Sequence, residues 1–86
     1  MNRIDNELLL DLSRRLIQLV TFDPPGNELP AAQLVASVLA DFGIDSELQS
    51  IGDNRANVVA RIKGNGNRPA LIFSAHLDTI SVNEAD

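Results

Sequence analysis

The only histidine of the chain lies in the segment Phe73 to Ile80, which reads FSAHLDTI. His76 is followed two positions later by Asp78, and in a β-strand residues i and i+2 point to the same side. A carboxylate placed there can accept a hydrogen bond from one imidazole nitrogen, which sets the tautomer and leaves the other nitrogen available to a metal ion. The spacing is therefore that of a His-X-Asp half-site for a metal.

An ordinary structural role competes with this interpretation, and the spacing alone favours it. A lone histidine beside an aspartate is more often a simple surface or core group. A protein zinc site uses three or four ligands, whereas this chain offers one histidine and no cysteine. Among its carboxylates, only Asp78, Glu84 and Asp86 lie close to His76 along the chain.

Two helices are predicted ahead of this segment. Apolar residues recur at helical spacing over residues 6–20 and again over residues 28–42. Asp5 or Asn6 is suited to cap the start of the first helix, and Gly43 stands where a C-terminal cap of the second belongs.

Three strands are predicted after the helices, at residues 44–51, 56–63 and 70–75. The last, ALIFSA, is almost continuously apolar, which is typical of a strand that is buried on both faces and would place His76 at its carboxyl end. Short connections favour antiparallel pairing. The sequence thus predicts an α/β fold with two N-terminal helices followed by three strands of a mixed sheet. Because a strand buried on both faces belongs inside a larger sheet, residues 1–86 are expected to be part of a bigger domain.

Composition excludes several classes of function. The net charge is −5 and no basic cluster is present, which argues against nucleic-acid binding. The absence of cysteine rules out disulfides and thiolate metal sites. The first residues resemble neither a secretory signal nor a membrane span, so we expect a cytoplasmic protein without membrane or nucleic-acid partners.

The remaining polar residues are predicted to have structural or solvated roles without chemistry. Asp23, before two prolines, is typical of an Asx-type turn, and Glu28 is expected only to stabilise the start of the second helix. Arg55, Arg61 and Arg68 are interpreted as solvated strand and turn residues. The glycine-containing stretch GNGNRP has no Gly-Lys-Ser/Thr, so phosphate binding is not predicted.

Nearly the whole chain resembles the N-terminal part of the zinc-dependent family of aminoacylase, acetylornithine deacetylase, succinyl-diaminopimelate desuccinylase and carboxypeptidase G. The most specific element is the apolar run leading into Ser-Ala-His-Leu-Asp-Thr, and the Pro-Pro-Gly-Asn-Glu turn before a helix adds weight. The matching segments are LIQLVTFDPPGNE (16–28), AAQLVASVLADFGI (31–44), NVVARIKG (57–64) and ALIFSAHLDTI (70–80).

This resemblance implies specific roles for the histidine and its neighbour. His76 would be a ligand of one ion in a two-zinc site, with cobalt or manganese able to use the same ligands. Asp78 would be the catalytic-site carboxylate that orients His76. The ions would polarise an amide carbonyl of an N-acyl amino acid or small peptide and activate a water molecule.

The resemblance is incomplete at the metal site. The family's bridging Asp, its Glu-Glu pair, a further acidic ligand and a second His follow the His-X-Asp, and this chain has no position that matches them. Asp-Thr-Val-Pro is also common in the family, whereas this chain continues Asp78-Thr79-Ile80-Ser81. We therefore expect no hydrolysis by the 86 residues alone.

Two other functions stay open from the sequence. One is a non-catalytic α/β module that self-associates through an open sheet edge and forms a homo-oligomer. The other is an unrelated small α/β binding domain.

Overall fold

The computed structural model of the chain describes residues 5–23 and 25–80. Within them lie two helices, α1 (Asn6–Gln18) and α2 (Leu29–Asp41), and two strands, β1 (Ser46–Gly52) and β2 (Arg55–Ala60). The strands form an antiparallel hairpin. Neither helix in the described residues is long and apolar enough to cross a membrane.

The ends of the helices follow from local hydrogen bonding. The Asp5 side chain accepts the Leu8 amide at 3.0 Å and caps α1, as predicted. At the end of α2, Gly43 adopts a φ of 74°. Its amide donates to Ala40 and the next amide, of Ile44, donates to Leu39, which is the Schellman pattern that a C-terminal glycine favours.

The first helix is shorter than predicted. It ends at Gln18, and Leu19 is already extended with a ψ of 141°. The reason lies outside the helix, because Thr21 and Phe22 take part in an isolated parallel bridge to Thr79. Backbone in a bridge is not helical, so the chain must leave the helical conformation before Phe22.

The prediction of three strands in a mixed sheet is wrong. Among the described residues the sheet has two strands, which run antiparallel to each other, and residues 70–75 belong to neither. Leu71, Ile72 and Phe73 are 78%, 84% and 89% exposed. A strand exists only when a neighbour completes its ladder of hydrogen bonds, and no described residue pairs with this run. The other two predicted strands are present with shifted ends, since 44–51 became Ser46–Gly52 and 56–63 became Arg55–Ala60.

The interior is small and partly polar. α2 packs against both strands of the hairpin, and the buried apolar side chains are those of Ala31, Ala32 and Ala56. Thr21 and Glu28 are buried beside them. The apolar residues of α1 do not form a core, since no residue of that helix is fully buried. The most enclosed part of the described chain is therefore where α2 begins, beside the start of β2.

Candidate functional site

The segment that carries His76 is attached to the fold at Thr79. The Thr79 amide donates to the carbonyl of Thr21 at 2.9 Å, and the Asp23 amide donates to the carbonyl of Thr79 at 3.0 Å. The hydroxyls of Thr21 and Thr79 also lie 3.1 Å apart. A parallel bridge of one residue thus holds the end of the FSAHLDTI segment against the chain that leaves α1.

His76 and Asp78 contact each other, although no strand places them. His76 Nδ1 lies 2.8 Å from the backbone carbonyl oxygen of Asp78 and 3.3 Å from Asp78 Oδ1. A carbonyl oxygen only accepts hydrogen bonds, so Nδ1 must carry the proton. In the neutral ring Nε2 then keeps its lone pair. The His76 side chain is 84% exposed, so this nitrogen can reach an external ligand.

The atom of Asp78 that lies nearer to the ring is not the predicted one. The His-X-Asp spacing predicts that the Asp78 carboxylate orients the imidazole, whereas the shorter contact is to the backbone carbonyl. Backbone carbonyls commonly take this role for metal-binding histidines. His76 lies in a segment without regular secondary structure and not at the carboxyl end of a strand.

A second cluster of charges, which the sequence pattern did not predict, centres on Arg55. Its guanidinium donates to both oxygens of Glu28, from Nε to Oε2 at 2.9 Å and from Nη2 to Oε1 at 2.8 Å. Nη2 also lies 3.3 Å from Oδ2 of Asp23. The Glu28 side chain is only 5% exposed. We call these three residues the Arg55 cluster.

The electrostatics of the Arg55 cluster are those of a strong, mutually stabilising ion pair. The hydrogen bond from Arg55 lowers the pKa of Glu28, an effect that burial opposes. The same bond raises the pKa of Arg55 above its ordinary value. Two parallel N–H···O bonds to one carboxylate add geometric definition to the charge attraction. Glu28 therefore does more than stabilise the start of α2, and Arg55 is not a solvated strand residue.

Two further hydrogen bonds tie the same loop to the hairpin turn. The side chain of Asn54 donates to Asn27 at 3.0 Å, and the Leu29 amide donates to the Asn54 carbonyl at 3.1 Å. Asn54 has a φ of 56°, a left-handed conformation that asparagine tolerates well. The Asn27 side chain thus hydrogen-bonds to the hairpin turn and does not cap α2, which begins without a side-chain cap.

Three carboxylates approach each other where the two features meet. Oxygen atoms of Asp23, Glu28 and Asp78 all lie within 4.8 Å of one another, a spacing that could hold a metal ion. However, Arg55 already bonds both oxygens of Glu28 and supplies the positive charge there. A cation would have to displace that guanidinium, so the arrangement favours an ion-pair cluster over a carboxylate metal site.

A cleft of about 180 Å³ opens beside the histidine. Its surface is largely apolar, with His76 and Asp78 among the residues that line it. The others are Leu16, Ile17, Thr21, Ala31, Leu77 and Thr79. A larger, shallow depression of about 420 Å³ at Asp45, Glu47 and Arg61 shares none of these residues.

Comparison with known proteins finds a distant relationship. The chain is 33% identical over 60 residues to proteins named probable succinyl-diaminopimelate desuccinylase from Staphylococcus epidermidis and from Staphylococcus aureus. The matched region is 70% of this chain but only 14% of each relative. No protein-family model and no experimentally determined structure matches the chain.

These relatives agree with the class of protein that the motifs suggested. Succinyl-diaminopimelate desuccinylase is one of the enzymes in the family that the FSAHLDTI segment resembles. The chain is thus distantly similar, over 60 of its own residues, to a short part of a hydrolase of that group.

Proposed function

We propose that this chain is a segment of a metal-dependent hydrolase that cleaves amide bonds of N-acyl amino acids or small peptides. The observation that carries the proposal is the hydrogen bond from His76 Nδ1 to the Asp78 carbonyl, which leaves Nε2 exposed with its lone pair. The similarity to proteins named desuccinylase supports an amide substrate with an acyl group.

The residues present fit one part of such a site. His76 would hold a zinc ion, or cobalt or manganese, through Nε2. Asp78 would orient the ring with its carbonyl and, through its carboxylate at 3.3 Å, increase the basicity of the imidazole. A metal bound there would polarise the scissile carbonyl and lower the pKa of a bound water molecule.

The same residues do not complete the site. A catalytic zinc site needs about three protein ligands, and the chain has a single histidine. Among the described residues, Asp23 and Glu28 have carboxylate oxygens within 4.8 Å of Asp78, but both are bonded to Arg55. We therefore expect the 86-residue chain alone to show no hydrolysis, with the other ligands supplied by additional polypeptide.

The test measures the tautomer of His76 and its binding of a metal ion, and not turnover. With ¹⁵N-labelled protein, two-bond nitrogen–proton spectra should show His76 as the Nδ1–H tautomer at pH 8, and added Co²⁺ or Zn²⁺ should perturb Nε2 while the Nδ1 proton is retained. His76→Gln should remove the effect, whereas Gln33→His, an exposed position on α2, controls for binding by any surface imidazole. Weaker or equal binding by His76 relative to the added histidine would contradict the proposal.

A second candidate function rests on the exposed apolar run. Leu71, Ile72 and Phe73 are almost fully solvent-exposed, and a patch of this kind is a common site of association. Self-association through this run and the open edges of the hairpin would give a non-catalytic, oligomeric module. Sedimentation velocity should then show an oligomer that Phe73→Ser dissociates and Ile17→Ser, at an equally exposed apolar position on α1, does not.

A further inference from the structure

We propose that Arg55 is a positioning residue, which holds the loop of residues 21–28 and thereby the segment that carries His76 and Asp78. The functional importance of that segment rests on the proposed function. The contacts that lead from Arg55 through Asp23 to Thr79 do not depend on it. No contact of Arg55 reaches His76 directly; its influence passes through the loop.

The His76 segment depends on very few attachments. Within the described residues, the only backbone hydrogen bonds that join residues 61–80 to the rest of the chain are the two at Thr79. The apolar run before His76 forms no strand and contributes none. The backbone of the His76 segment is therefore held to the rest of the fold through residues 21–23.

Asp23 is the residue at which the two sets of contacts meet. Its amide donates to the Thr79 carbonyl, while its carboxylate lies 3.3 Å from Arg55 Nη2. Three positions after Asp23, the Gly26 amide closes the turn by donating to the Phe22 carbonyl at 2.7 Å. The guanidinium packs against Gly26 so closely that an added Cβ would lie 2.5 Å from Arg55 Nε.

The other end of the contact chain is rigid. Arg55 is the first residue of β2 and pairs with Gly52 across the hairpin, so its backbone is fixed by the sheet. Glu28, which accepts two of its hydrogen bonds, lies at the start of α2. The guanidinium thus joins helix, hairpin and loop at one point, and the loop in turn holds Thr79.

Amide hydrogen exchange in the full 86-residue chain tests this role. In Arg55→Met, exchange at the Asp23 and Thr79 amides should accelerate by roughly tenfold or more, the scale expected for loss of charge-assisted hydrogen bonds. The hairpin amides should change much less. Arg55→Lys should be intermediate, because an ammonium group keeps the charge but cannot form two parallel bonds to one carboxylate.

Arg61→Met is the matched control, since Arg61 follows β2 directly and has no ion-pair partner among the described residues. It should leave exchange at Asp23 and Thr79 unchanged. Unaltered exchange at these amides in Arg55→Met would overturn the proposal. Equal acceleration at the hairpin amides would also overturn it, because Arg55 would then stabilise the whole fold and not the loop in particular. Metal binding at His76 is measured separately, so failure of the hydrolase proposal and failure of the Arg55 proposal give different results.

Discussion

Replacement of Gly26 by alanine should damage the protein in two separable ways. Gly26 has a φ of 78°, in the left-handed region, where a Cβ costs about 1–2 kcal/mol. The new methyl carbon would also lie 2.5 Å from Nε and 2.6 Å from Cζ of Arg55. Gly43 provides the matched control, because its φ is 74° and an added Cβ would meet nothing within 4 Å.

The magnitude follows from the distances. Ordinary contact between non-bonded heavy atoms is near 3.5 Å, so the guanidinium must move by about 1 Å. A shift of that size takes its 2.8 and 2.9 Å bonds to Glu28 beyond hydrogen-bonding range. Gly43→Ala should therefore lose about 1–2 kcal/mol of unfolding free energy from backbone strain alone. Gly26→Ala should lose that amount and, in addition, the stabilisation of the ion pair.

Urea unfolding followed by circular dichroism measures the loss of unfolding free energy in each variant. Hydrogen exchange of the Leu29 amide, which is bonded to Asn54, reports the local effect near the Arg55 cluster. The decisive comparison uses an Arg55→Met background. There the guanidinium is absent, so Gly26→Ala should cost the same as Gly43→Ala within about 0.5 kcal/mol. Equal losses for the two substitutions in the original chain would refute the reasoning, and so would an excess loss at Gly26 that persists without Arg55.

Three further outcomes are expected. Asp5→Ala should destabilise α1 by about 1 kcal/mol through loss of its cap, seen as reduced helical ellipticity. Because Arg55 lowers the pKa of Glu28 in the folded state, the stability that ionised Glu28 contributes is present above the ordinary pKa of 4.5 and is lost as the pH falls through the lowered pKa. In urea unfolding from pH 6 to pH 3, Glu28→Gln should remove this part of the acid sensitivity. An unchanged pH profile would count against the ion pair. Asp78→Ala keeps the carbonyl that lies 2.8 Å from His76, so the ¹⁵N spectrum should still show the Nδ1–H tautomer; a switch to the other tautomer would assign control to the carboxylate.

Local features of the fold were predictable from the sequence. The cap at Asp5, the glycine stop at Gly43 and most of α2 are present as predicted. Each depends on residues only a few positions apart, whose side chains and backbone meet whatever the rest of the chain does. The hairpin was predictable for the same reason, since its two strands are joined by a short turn.

The run of residues 70–75 was not predictable in this way. Its composition favours a buried strand, but a strand needs a partner at its edge and cover on its faces. Neither is present among the described residues, so the run is exposed. The prediction that Arg55 is solvated was wrong for the opposite reason. An arginine at the start of a strand is normally solvated, but the carboxylate that Arg55 binds lies 27 positions away in the sequence.

The sequence by itself determined the cap at Asp5, the glycine stop at Gly43 and the closeness of His76 to Asp78, because residues only a few positions apart can touch without help from the fold. Only the tertiary structure decided that Glu28 is buried and that the loop of residues 21–28 joins the hairpin to the His76 segment. Those outcomes depend on contacts across 27 and 58 positions. Contacts of that range form only when helix, hairpin and loop have already come together.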